Sequence, residues 1–196
     1  MSKKEAILSI AAKLFAEKGF KDTSMAEISK LTGAAEGTIF YHFKTKDDLL
    51  IAILEMVKTG IVQEFESYVG ERSSSSGLEM IEDAIAFYLY MATKREEWFL
   101  LLNRYYIYEL ARVNETTRKH LEAIYTCFVD IFDKGITLGL EDQSIINSAS
   151  RKTALIIFSM VHGLVWFKHH DLYDASALYH ELITCCRHML TRSTVV

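Results

Sequence analysis

Apolar residues recur every three or four positions along most of the chain. Near the start they form one stripe with the spacing of an amphipathic helix: Ile7, Ile10, Ala11, Leu14 and Phe15. Gly19 closes this helix, since glycine tolerates the left-handed conformation of a helix end. The same periodicity continues to the C-terminus and predicts an all-α protein.

Two short helices follow the first one. Ser24 and Glu27 have the spacing of a capping box, in which each side chain satisfies a backbone N–H at the helix start. This second helix ends at Gly33, and a third occupies roughly residues 35–43. Thr45 is the expected N-cap of a long fourth helix, whose first turn contains acidic residues where the helix dipole favours negative charge.

Five further helical segments are predicted after the glycine- and serine-rich loop at residues 70–77. They cover residues 78–92, 98–113, 121–139, 144–169 and 174–191, and the second of them can be broken near its middle. The total is about nine helices without an internal repeat. We place the domain boundary in the fourth helix, which gives an N-terminal domain of residues 1–47 and a C-terminal domain of residues 48–196.

Composition supports this interpretation. Half of the 196 residues are hydrophobic and none is proline, which long uninterrupted helices do not need. Cys127, Cys185 and Cys186 are an odd number with an adjacent pair, unlike a secreted disulfide framework. The longest uncharged run, residues 153–167, is short for a membrane span of about 20 residues. We therefore expect a cytoplasmic protein without membrane contact.

The net charge of −4 is unevenly distributed. Residues 1–50 contain eight basic and seven acidic residues, and the remainder contains 14 and 19. Any contact with nucleic acid must therefore come from a few well-placed groups rather than from a large basic surface.

The segments 23–28 (TSMAEI) and 33–43 (GAAEGTIFYHF), followed by Lys46 and Leu49–Leu50, resemble the signature of the TetR family of helix-turn-helix transcriptional regulators. The similarity covers about residues 7–54. It implies a three-helix DNA-binding domain followed by a helical domain that binds a small-molecule effector and forms a homodimer.

The resemblance assigns contacts with double-stranded DNA to the third helix and its surroundings. The full set is Thr23, Ser24, Ala34, Ala35, Glu36, Gly37, Thr38, Phe40, Tyr41, His42 and Lys46. Gly37 has no side chain and lets the helix approach base edges. Tyr41, His42 and Lys46 can reach phosphate oxygens. The alternative is that these residues are ordinary packing and surface positions.

Three positions depart from the family pattern. Ala35 replaces the usual Ser or Thr, so the third helix lacks a side-chain cap. Glu36 replaces a common basic residue; its carboxylate would repel phosphate but could accept a hydrogen bond from a cytosine amino group. Phe40 replaces a frequent Tyr and removes one hydroxyl. Fewer phosphate contacts are expected, and the run 35–39 (AEGTI) also resembles fatty-acyl-responsive members of the family.

Large side chains and a few polar ones predict an effector site in the second domain. The candidates are Tyr88, Met91, Trp98, Asn103, Arg104, Tyr106, Phe128, Phe132, His162 and Trp166. Asn103, Arg104 and His162 could orient the ligand, and Arg104 could pair with a carboxylate or phosphate. The alternative is that the aromatic residues form an ordinary core.

The last two helices are the expected dimer interface. The small residues Ser159 and Gly163 lie four apart, and the resemblance implies an interface that contains Leu155, Ser159, Gly163, Leu178, Leu182 and Cys186. Packing within one subunit is the alternative. Such a dimer would bind a palindromic operator and release it on binding a small hydrophobic effector, either acyl or aromatic.

Other classes of function find less support. The sequence shows no nucleophile–base pair or phosphate-binding loop, so we expect no enzymatic activity. Histidines and cysteines near residues 169–171 and 185–188 lack the spacing of a metal site, so we expect neither metal nor cofactor. A repressor is the favoured interpretation, with an activator and an architectural DNA binder as alternatives.

Overall fold

Helices account for nearly all of the structure. The computed structural model describes residues 2–70, 74–146 and 149–191, and these form ten α-helices and one 3-10 turn (Ala175–Leu178) without a strand. The α-helices are α1 (Lys3–Glu17), α2 (Met25–Thr32), α3 (Glu36–His42), α4 (Lys46–Gly70), α5 (Gly77–Lys94), α6 (Glu96–Leu102), α7 (Tyr105–Val113), α8 (Glu115–Glu141), α9 (Ser150–His169) and α10 (Tyr179–Thr191). The all-α prediction is confirmed.

The extra helix arises because the segment 98–113 is broken, as one of the two alternatives anticipated. The backbone N–H of Asn103 donates to the carbonyl of Phe99 at 3.1 Å and ends α6. Arg104 then adopts an extended backbone with φ −75° and ψ 125°, so α7 starts in a new direction.

The starts of α1, α2 and α4 are fixed by side-chain caps. At α1, Ser2 and Glu5 form a capping box that the sequence pattern contains but that we did not predict. At α4, the backbone N–H of Asp48 donates to Thr45 Oγ1 and that of Thr45 donates to Asp48, both at 3.0 Å, which confirms the predicted cap.

The capping box predicted for α2 is only half formed. Ser24 accepts a hydrogen bond from the backbone N–H of Glu27 at 3.1 Å, as expected. The carboxylate of Glu27 does not return to the Ser24 backbone and instead pairs with Lys18. A basic residue brought close by the fold thus competes with the local interaction.

Three helices, α8, α9 and α10, start at residues other than those predicted, and α10 begins at Tyr179 after the 3-10 turn rather than at residue 174. α8 begins at Glu115 rather than near residue 121, because Asn114 Oδ1 accepts the backbone N–H of Thr117 at 3.0 Å and caps the helix. α9 begins at Ser150 rather than at Ser144. Ser144 caps a different helix, since its hydroxyl accepts the backbone N–H of Leu78 in the first turn of α5 at 3.1 Å.

The chain divides into two compact units, which are described separately. The first comprises Met1–Gln63 and Arg95–Ile124, and the second comprises Glu64–Lys94 and Tyr125–Val196. Fully buried side chains of the first core include Ile7, Phe15, Ile28, Ile39 and Leu49, and those of the second include Ile81, Phe87, Tyr88, Phe128 and Phe132. The predicted functional boundary at residue 48 differs from this division and stays a prediction.

Among the helices described, none has both the length and the apolar character that crossing a bilayer requires.

Candidate DNA interface and effector site

A tight turn orients α3 against α2. Gly33 adopts a left-handed conformation with φ +68°, which closes α2. The Ser29 hydroxyl donates to the Ala34 carbonyl at 2.7 Å, and Thr32 Oγ1 accepts the Ala34 backbone N–H at 3.3 Å. These contacts fix the turn from α2 into α3.

One side of α3 is buried and the other is open. Ile39 is fully buried and Phe43, which follows the helix, is 3% exposed. The outward residues are Glu36, Gly37, Phe40, Tyr41 and His42, and Tyr41 is 76% exposed. We call them the outer face of α3. Two adjacent exposed aromatic residues, Phe40 and Tyr41, suit a surface that binds a partner.

The other residues near α3 that are predicted to contact DNA are exposed or half-buried. Ala35 is exposed, Ala34 and Thr38 are half-buried, and Ser24 is exposed at the start of α2. Ala35 provides no side-chain cap to α3, in agreement with the expected departure from the family pattern.

The side chains of Thr23 and Lys46 are directed towards backbone carbonyls of the protein rather than towards solvent. Thr23 is 1% exposed and its hydroxyl donates to the Gly19 carbonyl at 2.9 Å. Lys46 Nζ donates to the carbonyls of Phe20 at 2.6 Å and Thr23 at 2.8 Å, and lies 4.5 Å from the centre of the Phe20 ring. Both side chains thus fasten the loop between α1 and α2, and their contact with DNA stays a prediction.

Arg104 and Tyr106, which we assigned to the effector, contact the helix-turn-helix. Arg104 donates to the carbonyls of Ala16 and Glu17 at the end of α1, the latter at 2.9 Å. Tyr106 stacks on Phe20 with ring centres 4.1 Å apart. We call Arg104, Tyr106 and these partners the α6–α7 clasp. Helical periodicity gives no signal for it, because the partners lie more than 80 residues apart in sequence.

A further hydrogen bond joins the clasp to the start of α4. The Tyr106 hydroxyl donates to Asp47 Oδ1 at 3.1 Å. Burial, followed by this bond to a carboxylate, raises the pKa of Tyr106 to about 12. Both effects favour the protonated phenol over the phenolate.

Two other effector candidates lie in the first unit with the clasp. Trp98 is buried and packs against Gly60 of α4, while the guanidinium of Arg95 lies 4.9 Å from its ring centre. Asn103 is half-buried at the end of α6. Their role in binding a ligand stays a prediction.

In the second unit, three effector candidates meet in one aromatic cluster. The Tyr88 hydroxyl and His162 Nδ1 are 2.7 Å apart. Phe128 packs edge-on to Tyr88 at 4.7 Å between ring centres. Sequence reasoning missed two other members: Phe158, stacked on His162 at 5.5 Å, and Tyr125, edge-on to His162 at 6.0 Å. Helical spacing to His162 and to Phe128 could have indicated both.

Burial affects the protonation of His162 in this aromatic cluster. Burial, and to a smaller extent the charge of His169, lowers the pKa of His162. The imidazole is therefore neutral at pH 7 and can exchange one hydrogen bond with Tyr88. The cluster presents aromatic faces and a neutral polar pair.

The other effector candidates of the second unit are either buried in its core or exposed at its surface. Met91 and Phe132 are buried in its core. Trp166 is 39% exposed and stacks on His170 with ring centres 4.2 Å apart. Trp166 thus lies at the surface of the unit.

The predicted dimer interface includes both exposed and buried residues. Leu155, Ser159 and Leu178 are exposed and Gly163 is half-buried. Leu182 and Cys186 are almost fully buried within the subunit, and burial raises the pKa of the Cys186 thiol to about 11. Other exposed apolar residues of α9 and α10, outside the predicted interface, include Ile156, Trp166, Phe167, Tyr179 and Met189.

On α9, the exposed residues outline a shallow apolar groove. It has a volume of about 380 Å³ and is lined by Leu155, Ile156, Ser159 and Met160. Leu155 and Ile156 are each about half exposed. We call these four residues the α9 groove.

Three helices with a buried core and an exposed third helix have the architecture of a helix-turn-helix unit. Residues 7–53 match the family model of bacterial regulatory proteins of the tetR family. The N-terminal part of the chain therefore matches the corresponding region of TetR-family regulators, and the relatives found are transcriptional regulators rather than enzymes.

Similarity extends beyond the DNA-binding helices. The chain is 28% identical to the HTH-type transcriptional regulator QacR of Staphylococcus aureus over 178 residues, which cover 87% of this chain and 88% of that protein. It is 23% identical to the fatty acid metabolism regulator protein of Bacillus subtilis, with 90% of each chain covered. The crystal structure of Bacillus subtilis FadR in complex with stearoyl-CoA superposes with a TM-score of 0.74 at 22% identity, covering 93% of this chain and 96% of that one.

Proposed function

We propose that this regulator is a homodimeric repressor that binds a palindromic operator and leaves it when a small hydrophobic effector binds. The observation that carries the proposal is the outer face of α3, which is open to solvent while Ile39 anchors the opposite side. A helix held in this way can enter the major groove without unfolding its own support. The protein would act in the cytoplasm, where bacterial DNA is accessible to it.

Dimerisation is supported by the apolar surface of the second unit. The α9 groove and the exposed aromatic residues near the end of α9 are costly to leave in water. A second copy of the chain would cover them and bring two α3 helices to one duplex. Half-sites of such dimers are spaced by about one helical turn, roughly 34–36 Å, or a multiple of it.

The effector is proposed to be apolar, with one hydrogen-bonding group. The aromatic cluster provides apolar area, and its Tyr88–His162 pair provides a neutral donor and acceptor. Relatives add support for an acyl compound, because one is named a fatty acid metabolism regulator and one related structure contains stearoyl-CoA. An aromatic compound is the alternative effector.

The α6–α7 clasp is the proposed link between α6, α7 and the helix-turn-helix. It attaches the turn after α6 to the end of α1 through Arg104 and to Phe20 and Asp47 through Tyr106. An effector that favours a different position of α6 and α7 would therefore move the helix-turn-helix. Operator affinity falls if the effector binds that second arrangement better than the first.

The test is an electrophoretic mobility shift assay with DNA flanking the protein's own gene. We expect a retarded complex on a palindromic segment, and we expect it to dissociate when long-chain acyl-CoA or a related apolar compound is added. A scrambled duplex of the same length and composition is the control. Equal affinity for both duplexes would contradict operator recognition, and a complex that no candidate compound dissociates would contradict the sensor role.

A further inference from the structure

Glu36 is the charged residue at the start of the outer face of α3. It is exposed, and within the residues that the structure describes its carboxylate forms no hydrogen bond or ion pair. No other residue of α3 has a formal charge at pH 7 when His42 is neutral. The fold therefore leaves this carboxylate available to a partner.

The backbone next to Glu36 is unobstructed. A Cβ added to Gly37 would meet no atom of the protein, and Phe40 lies one helical turn after Glu36 on the same face. A helix with glycine at this position can approach the floor of the major groove closely. The carboxylate of Glu36 would then reach base edges.

The chemistry of a carboxylate restricts what it can contact there. An ionised carboxylate only accepts hydrogen bonds, and phosphates repel it. In the major groove, guanine presents only acceptors and thymine presents an acceptor and a methyl group, whereas cytosine N4 and adenine N6 are donors. On adenine the N7 acceptor adjoins N6 and repels the second carboxylate oxygen, whereas cytosine has a C–H at the neighbouring position. Cytosine is thus the best partner.

We propose that Glu36 determines operator specificity by accepting a hydrogen bond from the N4 amino group of one cytosine in each half-site. This inference rests on the proposed function, because it requires that α3 enters the major groove. It adds a base preference at one position of each half-site, symmetric about the centre of the operator.

The experiment is selection from a randomised duplex library, with sequencing of the bound DNA, for the wild-type protein and for Glu36→Lys and Glu36→Gln. We expect a cytosine in each wild-type half-site. Glu36→Lys should change that position to guanine, which accepts from lysine, and Glu36→Gln should favour adenine. Replacing the cytosine should weaken wild-type binding by roughly ten- to a hundredfold.

Glu55→Lys is the matched control, because it makes the same charge change at an exposed position of α4. It should increase affinity for all DNA to a similar extent and leave the selected motif unchanged. A carboxylate in the first turn of a helix also interacts favourably with the helix dipole, and that role alone would lower thermal stability in Glu36→Lys without changing the motif.

The outcomes separate the two proposals. If wild type selects a motif and Glu36→Lys selects the same one, or if the affected base in the wild-type motif is not cytosine, this inference is overturned while operator recognition stands. If wild type enriches no motif, the proposed function fails, and the inference fails with it.

Discussion

Two glycines near α3 illustrate how a single residue type serves opposite purposes. Gly33 adopts φ +68°, which side chains with a Cβ rarely tolerate, so the turn into α3 depends on it. Gly37 lies within the helix, has no positive φ, and faces open space. Glycine in a helix costs about 0.5–1 kcal/mol relative to alanine, and nothing inside the protein offsets that cost. The proposed approach of α3 to DNA would account for a glycine at this position.

The variant Gly37→Ala should accordingly increase stability and decrease binding. We expect the free energy of unfolding in urea to rise by about 0.5–1 kcal/mol. Operator affinity, measured by fluorescence anisotropy, should fall because the methyl group keeps α3 away from the bases. Gly33→Ala is the control and should lower stability, since its backbone would be strained. If Gly37→Ala gained stability and bound the operator unchanged, Gly37 would have no role at the DNA surface.

Tyr106 predicts a pH dependence of stability. Its folded pKa of about 12 exceeds the ordinary value of 10.0, so the folded state retains its proton where the unfolded chain loses it. The contribution of Tyr106 is therefore complete below about pH 10 and declines between about pH 10 and 12. Urea unfolding at about pH 8 and about pH 11.5 should show a steeper loss for wild type than for Tyr106→Phe. Equal losses would mean that folding does not raise the pKa of Tyr106.

The sequence predicted which residues of α3 are exposed better than it predicted the partners of the polar residues Lys46 and Arg104. Glu36, Gly37 and Tyr41 were selected because the motif has a fixed spacing on one helix, and the structure exposes all three. Lys46 and Arg104 are long and polar, so their residue types suit a phosphate, a ligand or a backbone carbonyl equally. Their partners are fixed by the fold alone, since the carbonyls lie 26 and 88 residues away.

At the scale of helices, the sequence specifies a start where the cap and its partner are close in sequence. The caps at Ser24 and Thr45 were predictable because cap and partner are three residues apart. The start of α9 was not, because Ser144 serves the first turn of α5 instead. Local signals identify a residue that can cap a helix, and tertiary structure decides which helix it caps.

The start of α3 provides a test of capping. Ala35 has no side-chain acceptor for the backbone N–H groups of the first turn. Ala35→Ser should supply one and raise the free energy of unfolding by about 1 kcal/mol, measured in urea. Ala34→Ser, one residue before the cap, should not. Equal effects of the two variants would show that the added hydroxyl stabilises the turn rather than the helix start.

The clasp between α6, α7 and α1 predicts local changes in hydrogen exchange. Arg104→Met preserves the apolar stem but removes the donors to Ala16 and Glu17. Because Arg104 is exposed, we expect a loss on the order of 1 kcal/mol in local stability. Amide exchange in residues 16–23, followed by mass spectrometry, should accelerate, whereas Arg112→Met on α7 should leave it unchanged. Unchanged exchange in Arg104→Met would mean that the clasp does not hold α1.

At the scale of the whole molecule, the proposed dimer would let two helix-turn-helix units contact the same DNA duplex. The net charge is −4, and α3 contributes a carboxylate rather than cations. One helix-turn-helix with so few cationic contacts releases few counterions and binds DNA weakly. Two units on one duplex would multiply their affinities through the effective concentration that the proposed dimer imposes. Operator binding should therefore depend on the surface that joins the subunits.

Ile156→Glu tests this dependence. Ile156 is 52% exposed in the α9 groove, so the substitution should not disturb the subunit core, but it would bury a carboxylate in an apolar interface. Sedimentation equilibrium should show a monomer, and operator affinity should fall on the order of a hundredfold. Val113→Glu is the matched control, because Val113 is 84% exposed on α7, outside the groove, and should leave both properties unchanged. A dimeric Ile156→Glu protein that binds the operator normally would place the subunit contact elsewhere. A monomeric one with undiminished affinity would show that a single α3 suffices for binding.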